Sequence, residues 1–160
     1  AQMVDANAIA LFTKFKVFSE AEVKSRFHIR IERYVKNLLI EVDTLRSMVD
    51  TMILPTAYSY AGDVAQSIAN MKAAGVVAPH SDTLNRLNQL IASLQTKRAA
   101  LESVYHKVEQ HNGEEDKAKL LSLDVSNAMA DVRAVCDELE SIVGDDYWPL
   151  PKYREMLFSS

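Results

Sequence analysis

Between Glu20 and Ala74 apolar side chains recur in alternating steps of four and three: Phe27, Ile31, Tyr34 and Leu38, then Leu45, Met48 and Met52. That spacing keeps them on one face of a helix. Glu41 stands at the one seam position where a polar residue intrudes. A second run, from Ser81 or Asp82 to His111, carries Leu84, Leu87, Ile91, Leu94, Leu101, Val104 or Tyr105, and Val108, with Arg98 intruding once. A third, Glu114 to Val143, places Leu121, Val125, Ala128, Val132, Val135, Leu139 and Ile142 in unbroken heptads. No strand-like alternation competes anywhere along the chain. The pattern predicts an all-α fold, an antiparallel helical bundle of three long helices.

The ends of these runs carry their own signals. Asp5 is placed to cap a short helix over about 6–16, and Ser19-Glu20-Ala21-Glu22 reads as a capping box, with hydroxyl and carboxylate three residues apart. Pro55 lacks an amide hydrogen and collides with the carbonyl four residues back, so the first long helix should kink or break there. Gly75, Gly113 and Gly144 stand where helical patterns stop, as helix C-caps do. The tight Asn112-Gly113 connection makes the second and third long helices antiparallel neighbours. Pairing levels across it puts Arg98 within reach of Asp124 or Asp131, a salt bridge at the edge of the seam. Residues 1–160 are expected to form one helical domain: a lead-in helix over 1–18, the long-helix bundle over 19–144, and an extended aromatic docking tail over 145–160.

The first helical run is the odd member, because 20–74 would span roughly 80 Å if straight. Its first half should overhang the hairpin made by the other two. That overhang carries Phe27, Ile31, Tyr34 and Leu38, an apolar surface that a monomer rarely leaves in water. Either the lead-in helix and the tail cover it or a partner does, and the partner is expected here. The tail holds the only tryptophan, Trp148, together with Tyr153 and Phe158. A segment so aromatic should dock on something.

Composition narrows the chemistry. Four glycines in 160 residues leave no Gly-rich phosphate loop, and a lone Cys136 excludes an internal disulfide framework or a multi-cysteine metal cluster. It suits a reducing compartment. No run reaches the length of a membrane span, and the first residues show no signal-peptide pattern. Net charge is −4, unevenly spread: residues 1–36 carry +3, leaving −7 for the rest. Arg26, Arg30 and Arg33 make a basic stripe, interrupted by Glu22 and Glu32, and no nucleic-acid motif accompanies it. His106 and His111 are five apart and cannot chelate together. Glu102 and His106 have helical i, i+4 spacing, but two ligands do not make a metal site. Cys136 beside Val135 reads as a buried, inert thiol. No catalytic, cofactor-binding or metal-binding residue is assigned within the chain.

The stretch Trp148-Pro149-Leu150-Pro151-Lys152-Tyr153-Arg154-Glu155-Met156-Leu157-Phe158 resembles the C-terminal signature of type III glutamine synthetases. Val17-Phe18-Ser19-Glu20-Ala21-Glu22-Val23-Lys24-Ser25-Arg26-Phe27 resembles the segment following that family's catalytic domain. Ile53-Leu54-Pro55 and Cys136-Asp137-Glu138-Leu139-Glu140 fit the same pattern, in the same order. The resemblance implies a non-catalytic C-terminal domain of a cytoplasmic, ring-shaped homo-oligomer that condenses glutamate and ammonia. ATP and divalent metal would be held by preceding β-rich domains. The partners implied are the parent's catalytic domain and neighbouring subunits, with no nucleic acid and no membrane. A free-standing helical adaptor is the alternative.

Overall fold

A computed structural model describes residues 2–152 and residue 155. Every regular element among them is helical. A 3₁₀ turn, Gln2–Val4, leads into α1, Ala6–Lys14, whose first turn is capped by the Asp5 carboxylate accepting from the Asn7 amide at 3.3 Å. α1 stops two residues before the predicted end. There the Val17 amide donates to Phe12 O and the Lys16 amide to Thr13 O, the doubly bonded closure of a helix terminus. This closure needs a left-handed residue, and Lys16 supplies it at φ 53°.

α2, Glu20–Met48, opens with the predicted capping box. Ser19 Oγ accepts from the Glu22 amide, and the Glu22 carboxylate accepts from the Ser19 amide at 2.7 Å. A π turn, Val49–Ile53, separates α2 from α3, Leu54–Ala73. The backbone therefore leaves α-helical geometry ahead of Pro55, not at it. Slipping the ladder by one residue, with the Leu54 amide reaching Val49 O, sets Pro55 in the first turn of α3, where no amide donor is required. α3 closes at Gly75, left-handed at φ 74°.

α4, Ser81–Gln110, begins after His80 with no side-chain cap; Ser81 Oγ instead donates back to Ala78 O. Gly113 is not a C-cap but the N-cap of α5, Glu114–Leu120. A second π turn, Leu121–Val125, leads to α6, Ser126–Ile142. No proline explains this turn. Leu121 O accepts from both the amide and the hydroxyl of Ser126. Two helices are thus long, α2 with 29 residues and α4 with 30. The expected third is divided by its π turn.

α4 and α6 run antiparallel, joined across their edges by Lys97 to Asp131 and Arg86 to Glu138. Their facing seams are the ones the heptads marked: Leu87, Leu94, Leu101, Leu121, Val132 and Leu139 are fully buried. On α2 the buried line is rotated from the predicted seam. Phe27 is buried, but from there the line runs through Val35, Val42 and Val49, while Leu38, Leu45 and Met48 are only half-buried.

Candidate interaction surface

The half-buried line of α2 faces α5 and α6 across an open groove. At one end Phe27, Ile31 and Tyr34 stand opposite Ala118 and Ser122. Further along, Leu38, Glu41 and Leu45 stand opposite Ser126, Met129 and Arg133. At the far end Leu45, Met48 and Ile53 meet Cys136, Trp148 and Pro151 around a cavity of about 380 Å³. Glu41, the polar intruder in the predicted seam, is exposed on this groove. Its presence was the one sequence signal that this face stays open. The α5–α6 wall, Ala118 and Met129 in particular, was not singled out from sequence.

Of the predicted interface residues, Phe27 is buried, Ile31 and Leu38 are half-buried, and Tyr34 is 40% exposed. Much of the overhang is covered from within the chain. The 3₁₀ turn and α1 lie against the start of α2, and α5 packs on it further along. Val23 and Phe27 are out of solvent without any partner. What stays exposed near this end is Leu11, Phe15 and Val17 on the lead-in, and Ile29 on the outer side of α2. Trp148 is buried against the core, while Tyr153 and Phe158 lie outside the described residues.

Residues 144–152 form a strap over the C-terminal end of α6. Lys152 Nζ donates to Glu140 O at 3.0 Å and to Val143 O at 3.1 Å, and pairs with Asp145 at 2.7 Å. A cation at carbonyls left over by a helix terminus is favoured both by hydrogen bonding and by the helix dipole. Tyr147 donates to the Asp63 carboxylate, and its ring sits edge-on to Tyr60 with centroids 5.1 Å apart. Accepting that bond strains against ionising the phenol beside Asp63, so its pKa lies above the ordinary value.

A polar cluster lies on the other side of α2. Arg98 does not reach Asp124 or Asp131 as the level pairing predicted; it pairs with Asp50 and Glu102, and Lys97 takes Asp131. α4 is rotated so that Arg98 meets the π turn rather than α6. Arg46 pairs with Glu102 at 2.6 Å, and its guanidinium lies 4.5 Å from the Tyr105 ring centroid. Burial alone would raise the Glu102 pKa, but hydrogen bonds and charge from Arg98 and Arg46 outweigh it and hold the carboxyl below its ordinary value. His106 Nε2 lies 3.2 Å from Glu102.

Nothing in these groupings makes an active centre. Among the described residues no three His, Cys, Asp or Glu side chains converge to hold a metal ion. Cys136 is buried, and loss of hydration, helped by nearby Asp137, raises its thiol to about 11. In the basic stripe Arg26 stacks on Phe18 at 4.5 Å, Arg30 reaches Met3 Sδ, and Arg33 is exposed. Among the described residues no helix is long and apolar enough to cross a membrane.

Residues 1–72 match the family model of the glutamine synthetase C-terminal domain. The chain is 29% identical to a type-3 glutamine synthetase of Dictyostelium discoideum over 157 residues, 94% of this chain and 21% of that protein. It is 26% identical to a glutamine synthetase of Bacteroides fragilis, over 97% of the chain and 22% of that protein. A Butyrivibrio fibrisolvens glutamine synthetase is 27% identical over 98% of the chain and 23% of its own length. The chain spans about a fifth of the length of these curated relatives. It is a homologue of the glutamine synthetases, matching their C-terminal region over nearly its whole length.

Proposed function

We propose that the chain is the non-catalytic C-terminal helical domain of a glutamine synthetase, serving interdomain packing, oligomer assembly or regulation. The observation that carries this reading is one of proportion: almost all of this chain aligns with only about a fifth of each relative. The parent would join glutamate to ammonia at the expense of ATP, with divalent metal, in a cytoplasmic homo-oligomer. The residues described here do not fit either group, since no metal-holding cluster forms among them and no glycine loop offers backbone amides to a phosphate. No step of the reaction is therefore assigned to this chain. In this reading residues 20–73, 81–110 and 114–142 act as three rods of one domain, and residues 145–160 as a docking tail.

The open groove supports a second reading, a free-standing helical adaptor that receives a partner helix. The deciding experiment is the mass of the native gene product, with glutamine formation assayed on the same fractions. A large active assembly containing this sequence is expected. An inactive species of the chain's own mass, apart from any synthetase, would overturn the ligase reading in favour of the adaptor.

A further inference from the structure

Two surfaces of the chain complement each other without meeting in one molecule. The first is the groove. Its Phe27–Tyr34 seat and its Leu38–Leu45 seat are centred about ten residues apart on α2, roughly 16 Å at the helical rise. The charges on its rim are uneven. Beside the first seat Glu115 and Lys119 balance, whereas around and beyond the second Glu41, Asp137 and Glu140 outnumber Arg133.

The second surface is the outer side of α2. Ile29 is 60% and Ile40 64% exposed, on the side turned away from the core. Eleven residues separate them, again about 16 Å, and they point within roughly 20° of each other. Exposed Arg30 and Arg33 flank Ile29, so this surface is basic at one end.

We propose that the groove receives the Ile29–Ile40 side of α2 from a second copy of the chain, with the two α2 helices antiparallel. In that direction Ile29 enters the Leu38–Leu45 seat and Ile40 the Phe27–Tyr34 seat. Arg30 and Arg33 then face Glu41, Asp137 and Glu140. The parallel direction would bring both arginines to the balanced end and forfeit the pairing. The +3 and −7 division of charge along the chain is what such a contact between unlike surfaces requires. Each copy offers both surfaces, so the contacts propagate into a ring or a filament rather than stopping at a twofold pair. The inference deepens the assembly role proposed above and rests on it only for biological purpose. Self-association is measured on this chain alone, so its failure would leave the native-mass and activity experiment standing.

The test is sedimentation equilibrium at low ionic strength on wild type, on a groove variant, Glu41→Lys with Asp137→Lys, and on a strip variant, Arg30→Glu with Arg33→Glu. All four positions are exposed, and circular dichroism checks that helicity is kept. Wild type is expected to form species larger than one chain that dissociate as salt is added. Each variant alone should associate at least about tenfold more weakly. An equimolar mixture of the two should recover association, because the reversed groove of one matches the reversed strip of the other. Wild type remaining a monomer at all concentrations would overturn the proposal. So would variants that associate as wild type does, or a mixture no stronger than its components.

Discussion

Arg98, in the middle of α4, forks onto the Asp50 carboxylate of the first π turn, with Nη2 at 2.8 Å and Nε at 3.1 Å. The pair ties the point where the helical ladder slips to the longest straight element of the fold. Arg98 is only 16% exposed, whereas Asp50 keeps 44% of its side-chain surface in water. Arg98→Ala should therefore cost about 1–2 kcal/mol in a urea titration, the range of hydrogen bonds to charged groups rather than of a fully buried pair. Arg98→Lys should recover part of it, because an ammonium cannot fork. An Arg98→Ala midpoint equal to wild type would show that solvent replaces the contact at no cost.

Glu102 receives Arg98 and Arg46 together, and its depressed pKa fixes the sign of its pH effect. A carboxylate held ionised in the folded chain stabilises fully above its unfolded pKa, near 4.5. That contribution fades as pH falls through the lower folded value. The stability gap between wild type and Glu102→Gln should be widest near neutral pH and narrow as acid is added below about 4.5. Urea midpoints measured for both proteins across that range check this. A gap independent of pH would mean the carboxylate's charge does not matter.

How far the residues could be read depended on whether one helix or two decided the outcome. The capping box at Ser19 and the heptads of α4 and α6 are local, and the structure keeps them. The buried line of α2 is not local. Phe27, Ile31, Tyr34 and Leu38 and the valines Val35, Val42 and Val49 are both apolar series, and only the position of α5 decides which is covered more completely. Arg98 fails as a level-pairing prediction for the same reason. Its partner depends on how far α4 is rotated, which the turn at Asn112-Gly113 does not set. The π turns carry no residue signature of their own, apart from Pro55 just beyond the first. The groove was half-legible: its residues stood in the seam, and Glu41 among them was the sign that the seam does not close.

Lys16 holds φ 53°, a left-handed conformation in which a side chain crowds its own backbone. Lys16→Gly should raise stability by about 1 kcal/mol, with relief of strain outweighing the greater freedom of glycine in the unfolded chain. A β-branched residue should do the opposite, so Lys16→Val should lower it. Thermal unfolding of the three proteins orders them. Equal midpoints would mean that α1 has already frayed before the transition measured.

Cys136 combines burial with a thiol raised to about 11, so both access and thiolate content oppose reaction. A thiol reagent at mildly alkaline pH should label the folded chain far more slowly than the urea-unfolded chain, by at least about tenfold. Prompt labelling of the folded protein would show that the cavity at the Trp148 end opens widely enough to admit the reagent.

Lys152 and Trp148 belong to one strap, and each reports on the other. Lys152 draws three contacts from the end of α6 while only 13% exposed, and Trp148 lies 8% exposed beneath the same segment. Lys152→Met keeps most of the stem but leaves the carbonyls of Glu140 and Val143 without this donor. The loss expected is about 1–3 kcal/mol, concentrated in the strap rather than spread through the α4–α6 core. Trp148, the sole tryptophan, reads this directly. Its emission should shift to the red and become easier to quench with iodide in Lys152→Met, while far-ultraviolet circular dichroism stays close to wild type. Unchanged emission would mean that Trp148 is held by its apolar contacts alone, with Lys152 closing the helix end and nothing more.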